Sequence, residues 1–163
     1  MAAPKLTPVF NVNVSVSLPT GMAPGNEFSD ITVVNGETGY VETIDGKTRL
    51  EITSISDWMV LGQNQTTATV DARMSSVGPK GINLDMHYLG KFTITPGTNE
   101  VFGGTPGASF NFGEEYLYVT PRISSRAQEF GWVNDSVFLA TGKAKTIRDG
   151  GEIEISYLIF KVG

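Results

Sequence analysis

The chain has 163 residues, which is long enough for one domain with a substantial core and too short for two. Hydrophobic residues make up 40% of it, and the formal net charge of −5 argues against nucleic-acid binding, which needs clustered lysine and arginine. The absence of cysteine excludes disulfides, thiolate catalysis and cysteine-rich zinc sites. Because no stretch resembles a signal peptide or a membrane span, we expect one cytoplasmic domain over residues 1–163 with no membrane partner.

Alternation of apolar and polar residues predicts strands along most of the chain. Between Phe10 and Leu18 every second side chain is apolar, which is typical of a strand with one buried face. Prolines and glycines between 19 and 25 predict a loop, and Asp45-Gly46 and Asp149-Gly150 predict hairpins, the first through a two-residue type I′ turn. Further strands are predicted at 31–34, 40–44, 49–53, 58–61, 66–74, 82–88 (continuing past a bulge at Gly90), 116–123, 132–141 and 153–162.

This succession of short strands favours an all-β fold. We expect a small antiparallel, mostly up-and-down closed barrel of about eight to ten strands with an internal pocket, and a two-sheet sandwich is the alternative. Closure removes the exposed sheet edges of a chain that has no disulfides. Glycine and proline break the strand rhythm over residues 96–114, where we expect a long loop that serves as a lid or a binding loop.

Two neighbouring strands carry ionisable side chains on one face each. Asp71 and Arg73 share a face of the first strand, and Asp85 and His87 share a face of the second. If the strands form a hairpin, we expect Arg73 opposite Asp85 and Asp71 opposite His87. A two-residue slip that sets Asp71 opposite Asp85 is disfavoured because it brings like charges together.

This charged face has two interpretations. The polar face of an amphipathic strand usually meets solvent, where ion pairs contribute only ~0–1 kcal/mol to stability. If the face lines the barrel interior instead, its aspartate and arginine can orient a ligand, and His87, the single histidine, can transfer a proton near neutral pH. If it meets solvent, the ligand site shifts to Tyr118, Arg122 and Trp132.

Two later segments add aromatic and polar candidates. Tyr116, Tyr118 and Arg122 share a strand face and supply a flat surface with hydrogen-bond donors for a phenolic or carbonyl ligand. Trp132 and Asn134 share a face of the next strand, where the ring is typical of a core and the amide needs a partner, such as a bound ligand. The residue inventory argues against a transition-metal site and contains no dinucleotide, Walker or nucleophile-elbow motif, so we expect no metal and no cofactor.

In their order and spacing, these segments resemble one protein family over nearly the whole chain. The matching motifs are Asp57-Trp58, Val70-Asp71-Ala72-Arg73, the strand between Gly81 and Gly90, Tyr116-x-Tyr118-x-Thr120-Pro121-Arg122, Trp132-x-Asn134 and Phe138-x-Ala140-Thr141-Gly142. The family is domain of unknown function 3237, which comprises small bacterial and fungal β-barrel proteins, and the chain looks like a fungal member from secondary metabolism.

The resemblance implies a barrel, often dimeric, with an internal pocket and no cofactor. The family's recurring positions correspond to Asp71, Arg73, Tyr118, Arg122, Trp132 and Asn134. The chain departs from the family at Asp85 and His87, where members commonly carry a tyrosine and an arginine, and in the glycine-rich segment 96–113. Both departures suggest a specialised pocket.

These features lead to the hypothesis of a cofactor-independent cyclase or isomerase for an aromatic or polyketide-like metabolite. The ring closes by conjugate addition of a phenol to an enone, as in chalcone closure, or by a pericyclic step. In this hypothesis Arg73 or Arg122 stabilises the enolate, Tyr116 or Tyr118 hydrogen-bonds the carbonyl, and His87 relays the proton with one of its aspartates, Asp85 or Asp71.

Two alternatives stay open. The chain is a carrier that binds the same small molecule without chemistry, or a hydrolase or decarboxylase in which an Asp–His pair activates water. Loss of turnover in arginine and histidine variants that still fold distinguishes an enzyme from a carrier.

Overall fold

The structure is a computed structural model, and it describes residues 3–18, 31–62 and 65–163, with the side chain of Glu37 excepted. Within these residues one sheet of nine strands forms. The strands are β1 (Leu6–Ser17), β2 (Ile31–Thr43), β3 (Arg49–Leu61), β4 (Thr67–Val77), β5 (Asn83–Thr93), β6 (Ser109–Phe110), β7 (Leu117–Ser124), β8 (Phe138–Ile147) and β9 (Glu152–Val162). The loop predicted at 19–25 lies outside the described residues.

The sheet closes on itself as a barrel. β1 pairs with β2 on one side and with β9 on the other, and β9 pairs in turn with β8. The ring therefore runs β1-β2-β3-β4-β5-β7-β8-β9 and returns to β1, while the two-residue β6 pairs with β8 beside it. This confirms the predicted antiparallel, mostly up-and-down closed barrel over a sandwich. Closure pairs every ring strand on both sides, which removes the free edges that invite aggregation.

Several predicted strands are parts of longer ones. The segments 31–34 and 40–44 belong to the single strand β2, and 49–53 and 58–61 belong to β3; each strand has 13 residues. The bulge predicted at Gly90 is wrong, because the β4–β5 register runs through it without a shift. A Cβ on Gly90 would lie 2.2 Å from the carbonyl oxygen of Tyr118, so the glycine allows β7 to approach closely.

Both predicted hairpins form, with different turns. Asp149 and Gly150, at the β8–β9 connection, have φ values of 54° and 89°, the left-handed conformation that this residue pair favours. The β2–β3 connection is longer than predicted and spans residues 44–48, and Asp45 has no positive φ. The Asp45 carboxylate accepts hydrogen bonds from the Thr43 hydroxyl and the Lys47 amide, which stabilises this wider turn without a type I′ geometry.

Alternate side chains of the ring strands fill the interior. β5 shows the pattern: Leu84 is fully buried, whereas Leu89, on the other face of the same strand, is 45% exposed. The core includes Phe10, Val12, Val14, Val41, Leu50, Val70, Ala72, Met74, Leu84, Met86, Tyr88, Val119, Ala140, Tyr157 and Ile159.

One end of the barrel is closed by aromatic rings. The strand predicted from 132 begins only at Phe138, and Gln128–Asp135 instead forms a 3-10 helix across this end. The Phe10 ring stacks on Trp132 at 5.8 Å between centroids and lies 6.0 Å from Phe130. Phe10 and Phe130 are buried, whereas Trp132 covers them from outside and stays partly exposed. We call this end the plugged end.

The other end is covered by the segment predicted as a glycine-rich loop or lid. It contains a helix, α1 (Pro96–Phe102), and the short strand β6. Thr95 caps α1 because its hydroxyl accepts the Thr98 N–H at 3.1 Å. Val101 is fully buried, and the Phe102 ring lies 5.0 Å from that of Phe92, so this segment packs onto the barrel.

Candidate active site

A carboxyl group lies inside the barrel on β3. The pairing of β3 with β4 shifts register between Ile52 and Ser54, and after this irregularity Ile55, Asp57 and Met59 all point into the interior. The intervening Trp58 is 50% exposed, as alternation requires. Asp57 is therefore an acidic side chain on a strand face whose neighbouring side chains are apolar.

Asp57 opens onto a small cavity at the end covered by α1. The cavity has a volume of about 30 Å³, roughly the room of one water molecule. Of the described residues that line it, only Asp57, Tyr88 and Tyr157 have polar side-chain groups. The others are Val14, Val16, Val34, Ile55, Met59, Phe102, Ile153 and Ile155. Its apolar lining with a few converging polar groups resembles that of a small-molecule site, but such sites usually have about 300–1,000 Å³, so a ligand larger than a water molecule requires this cavity to widen.

The Asp57 carboxyl binds protons more tightly than an exposed aspartate does. Burial raises its pKa from 3.8 to about 7, the nearby charge of Asp71 adds to the rise, and a hydrogen bond from the Asp71 amide opposes it. That bond runs from the Asp71 backbone N–H to Oδ1 of Asp57 at 3.1 Å. A carboxyl with this pKa is present in both protonation states near neutral pH, which suits a general acid or base.

Two tyrosines complete the lumenal group. The rings of Tyr88 on β5 and Tyr157 on β9 lie 5.5 Å apart and are tilted by 59°. Burial, and then the charge of Asp57, raises the pKa of Tyr88, and burial also raises that of Tyr157, so both hydroxyls stay protonated. Neither hydroxyl has a hydrogen-bond partner among the described residues. They are therefore free to donate to a bound ligand.

The predicted charged constellation lies on the outer face of the barrel. β4 and β5 do pair as an antiparallel hairpin, but the predicted register is wrong by two residues: Arg73 faces His87, and Asp71 faces Leu89. Asp85 faces Ser75, so the like charges stay apart in this register as well. The opposite faces of these strands, with Val70, Ala72, Leu84 and Met86, fill the core, and this apolar burial decides which side points inward.

Asp71 nonetheless contacts His87 and Arg73 on this outer face. His87 Nε2 lies 2.9 Å from Oδ1 of Asp71, and Arg73 Nη1 lies 3.5 Å from the same oxygen. The Arg73 side chain is 62% exposed and that of His87 34%. Asp85 accepts a hydrogen bond from the Asn83 amide at 2.9 Å. These side chains form an exposed ion cluster outside the lumen.

The second predicted group is also on the outer face. The rings of Tyr116 and Tyr118 meet edge to face at 4.9 Å between centroids and line an outer groove of about 730 Å³, together with Trp58 and Leu89. Arg122 faces His87 across the β5–β7 pair. None of these side chains lines the lumenal cavity.

The last two predicted residues belong to the plugged end. Trp132 stacks on Phe10 and is part of the aromatic closure. The Asn134 side chain finds its partner in the protein: its Oδ1 accepts the Ser125 N–H and its Nδ2 donates to the Ser125 carbonyl, both at 3.0 Å. This pair of bonds ties the 3-10 helix to the end of β7. The predicted arrangement of the two residues on a strand is wrong, because both lie in the 3-10 helix.

Sequence reasoning missed the lumenal group. In the sequence, Asp57 is noted only as part of a family motif, and Tyr88 only as the last residue of the predicted strand 82–88. The sequence does contain one signal for it. Ile55, Asp57 and Met59 alternate along a strand and therefore share a face, so a carboxyl lies on a face that is otherwise apolar. No local pattern links it to Tyr157, which is 100 residues away and adjoins it only in the closed barrel.

Sequence comparison adds a family to this geometry. The profile of the family described as "Protein of unknown function (DUF3237)" matches residues 4–162. The chain belongs to this family. That confirms the resemblance drawn from the motifs. None of the curated proteins matches the chain.

Solved structures share the fold of this DUF3237 protein. A conserved protein of unknown function from Rhodopseudomonas palustris has a TM-score of 0.77 at 12% identity, covering 100% of both chains. A beta-barrel like protein from Acinetobacter baumannii has a TM-score of 0.66 at 14% identity, covering 100% of this chain and 98% of its own. An enzyme from Penicillium herquei has a TM-score of 0.60 at 12% identity, covering 100% of this chain and 97% of its own. At these identities the likeness establishes the fold.

Two further observations concern the described part of the chain. None of its helices is long and apolar enough to cross a membrane. It brings together no group of three or more histidine, cysteine, aspartate or glutamate side chains that could hold a metal ion.

Proposed function

We propose that this DUF3237 protein is a cofactor-independent cyclase or isomerase that acts on a small aromatic or polyketide-like molecule inside the barrel. The observation that carries the proposal is Asp57, a carboxyl with a pKa of about 7 in an apolar lumen, which shares its cavity with two tyrosines whose hydroxyls have no hydrogen-bond partner among the described residues. A solved protein of the same fold, from Penicillium herquei, is described as an enzyme, which is compatible with chemistry in such a barrel. A fungal setting in secondary metabolism and a cytoplasmic location stay predictions.

In the proposed reaction α1 and its Phe102, which line the cavity, move outward to admit the substrate, because the closed cavity has room for only about one water molecule. Asp57 is the proton carrier. Its carboxylate removes the proton of a substrate hydroxyl, and the oxygen attacks the β-carbon of a conjugated enone, so a C–O bond forms as the C=C π bond breaks. The electron pair moves to the carbonyl oxygen, where the hydroxyls of Tyr88 and Tyr157 stabilise the enolate by hydrogen bonds. Asp57 then returns its proton to the α-carbon, and the product is an isomer of the substrate.

The lumen contributes more than the proton transfer. Apolar side chains exclude water from the reacting atoms, which strengthens each hydrogen bond to the developing charge. Holding the substrate hydroxyl next to the enone can lower the activation free energy of ring closure by ~7–11 kcal/mol. The acid–base role predicted for His87 passes to Asp57 in this proposal, and the enolate role predicted for Arg73 passes to the tyrosines, because the former residues lie outside.

The proposal is tested with ortho-hydroxyaryl enones, beginning with an ortho-hydroxychalcone. We expect protein-dependent loss of the enone absorbance and an optically active product, since spontaneous closure is racemic. Asp57→Asn should lower the rate about 100-fold or more, as loss of a general base does. The matched control is Asp85→Asn, which removes an outer carboxylate and should leave the rate unchanged. Turnover that survives Asp57→Asn, or that depends on His87, contradicts the assignment.

The pH dependence gives a second measurement. Because the reaction starts from the carboxylate form, kcat/KM should rise with pH and reach half its plateau near the Asp57 pKa of about 7. The spontaneous rate is subtracted at each pH. A flat profile between pH values of about 5 and 8 contradicts Asp57 as the base.

The carrier is the second candidate. The apolar lining of the cavity favours a carrier, which likewise requires the cavity to widen. A carrier predicts saturable binding of the enones, no protein-dependent product and no rate change in Asp57→Asn. The hydrolase or decarboxylase alternative requires the Asp71–His87 pair to meet the substrate on the outer face, so His87→Gln abolishes turnover in that case only.

We also propose that the outer groove joins two copies of this chain. Four exposed apolar side chains among the described residues line it, Ile31, Trp58, Leu89 and Tyr116, and such patches are typical of interaction surfaces. Asp71 and Lys91 lie in the same groove, so a two-fold axis can bring the carboxylate of one copy to the ammonium of the other. Light scattering should give the mass of a dimer, and Trp58→Ser should shift it to a monomer; a monomeric wild-type protein at high concentration refutes the dimer.

A further inference from the structure

Asp71 is built into the barrel wall with its two polar parts on opposite sides. Its backbone N–H donates to Oδ1 of Asp57 inside the barrel at 3.1 Å. Its own carboxylate lies outside, 2.9 Å from His87 Nε2 and 3.5 Å from Arg73 Nη1. A single residue therefore contacts both the lumenal carboxyl and the outer ion cluster.

We propose that Asp71 is a positioning residue for Asp57: its amide fixes the lumenal carboxyl, and its carboxylate, together with His87 and Arg73, controls when that carboxyl holds a proton. The meaning of this control for catalysis rests on the proposed function. The electrostatic coupling itself does not, since it concerns only charges in the free protein.

The charges around both carboxyl groups are few. Asp57 accepts a hydrogen bond from the Asp71 amide on β4 and shares its cavity with Tyr88 from β5 and Tyr157 from β9, and the other described residues that line this cavity are apolar. Asp71 contacts Arg73 on its own strand and His87 from β5, and Lys91 from β5 lines the same outer groove. The basic side chains on the outer face therefore influence the protonation of Asp57 mainly by changing the net charge around Asp71.

The two contacts of Asp71 act on Asp57 with opposite sign. The amide hydrogen bond favours the charged carboxylate and lowers the pKa of Asp57, whereas the Asp71 charge disfavours it and raises the pKa. Loosening the contact and removing the charge are consequently distinguishable. Loss of the amide hydrogen bond alone raises the Asp57 midpoint, and removal of the charge alone lowers it. Local unfolding also lowers the midpoint by hydrating the carboxyl, and the rise expected in Arg73→Gln separates a charge effect from that exposure.

The experiment follows the Asp57 carboxyl carbon by ¹³C NMR through a pH titration, with the signal assigned from its loss in Asp57→Asn. Asp71→Asn keeps the amide N–H and removes the charge, so we expect the midpoint to fall by about 0.5–1 pH unit, the scale of a like charge nearby in a partly buried site. Arg73→Gln removes a cation that offsets this charge, and His87→Gln removes a ring that offsets it only when protonated; each should raise the midpoint by a smaller amount. All titrations are made at one protein concentration with the mass measured alongside.

The matched control is Asp85→Asn, which removes a carboxylate from the same outer face, where Asp85 accepts a hydrogen bond from Asn83 and pairs across the sheet with Ser75 rather than with Asp71. It should leave the midpoint within about 0.2 pH unit of wild type, because exposed charges are strongly screened. An unchanged or raised midpoint in Asp71→Asn overturns the proposal, as does an equal shift in Asp85→Asn. If the midpoints shift as expected but no enone is turned over, the coupling stands and the proposed function fails.

Discussion

The inner and outer faces of one wall carry similar chemical groups in opposite surroundings. Inside, Asp57 stands with Tyr88 in an apolar lumen; outside, Asp71 stands with His87 and Arg73 in water. Burial raises the pKa of the inner aspartate to about 7, while its outer neighbour forms ordinary exposed ion pairs. The charged residues that stand out in the sequence therefore lie mostly on the outer face, where each charge has the smallest effect on the pKa of its neighbours.

The difference follows from dielectric surroundings. A carboxylate in an apolar interior loses hydration and has few partners, so its protonation responds strongly to each nearby group. In an exposed ion pair, each charged group replaces hydration by a partner that it binds about as strongly as water. The pair therefore contributes only ~0–1 kcal/mol to the free energy of unfolding. A single buried carboxyl with one or two polar neighbours can therefore form a reactive site, and a cluster of charged residues is not required.

The largest contrast should appear for two leucines on β5. Leu84→Ala removes a fully buried side chain and should destabilise the protein by ~2–5 kcal/mol, because it leaves a cavity in the core. Leu89→Ala, on the outer face and 45% exposed in the wild type, should cost under ~1 kcal/mol. Urea unfolding of both variants measures this; equal losses would mean that the outer groove is as buried as the lumen, as in a tight dimer.

The next effect concerns Asp57 and pH. Its folded-state pKa of about 7 lies above the ordinary 3.8, so the folded protein holds a proton that the unfolded chain releases between these values. Stability contributed by this proton is present at low pH and is lost as pH rises through about 7, by ~2–4 kcal/mol at most. Asp57→Asn should lack this loss and be more stable than wild type at pH values of about 8.

Chemical unfolding at acidic and mildly alkaline pH checks that prediction. Asp71→Asn and Asp85→Asn serve as the outer comparison, and neither should gain stability to the same extent at alkaline pH. A wild-type stability that is constant over this window contradicts the burial of an ionisable Asp57.

Removal of the lumenal hydroxyls should change rate rather than stability. Tyr88→Phe and Tyr157→Phe delete groups without hydrogen-bond partners among the described residues, so each should alter the free energy of unfolding by less than ~1 kcal/mol. Each should slow enone closure by about 10- to 100-fold through loss of an enolate donor. Tyr118→Phe on the outer face is the control, and an equal rate loss there would place the chemistry outside the lumen.

The smallest effect is expected for the outer ion cluster. His87→Gln should destabilise the fold by under ~1 kcal/mol, and salt at about 1 M should remove that difference by screening. The measurement is urea unfolding at low and high salt. A loss above ~2 kcal/mol that persists in salt would show that the Asp71–His87 contact is a buried structural element.

Local patterns predicted much of the fold and little of the site. Alternation from Phe10 to Leu18 and the turn pair Asp149-Gly150 are local signals, and the structure has the strand and the hairpin where they predict them. The β4–β5 register was predicted from charge pairing between Arg73 and Asp85, and it is wrong. Cross-strand charge pairs on an exposed face differ by under ~1 kcal/mol, too little to decide register against turn geometry and core packing.

The sequence by itself determined that the chain forms antiparallel strands with one apolar face each, because side-chain alternation is a property of neighbouring residues. Only the tertiary structure decided that β9 returns to β1, that the 128–135 segment crosses one end as a 3-10 helix, and that Asp57 shares a cavity with Tyr88 and Tyr157. These are contacts between residues far apart in the chain. They depend on closure of the ring and on a register irregularity in β3, and the burial that tunes Asp57 exists only once the ring is closed.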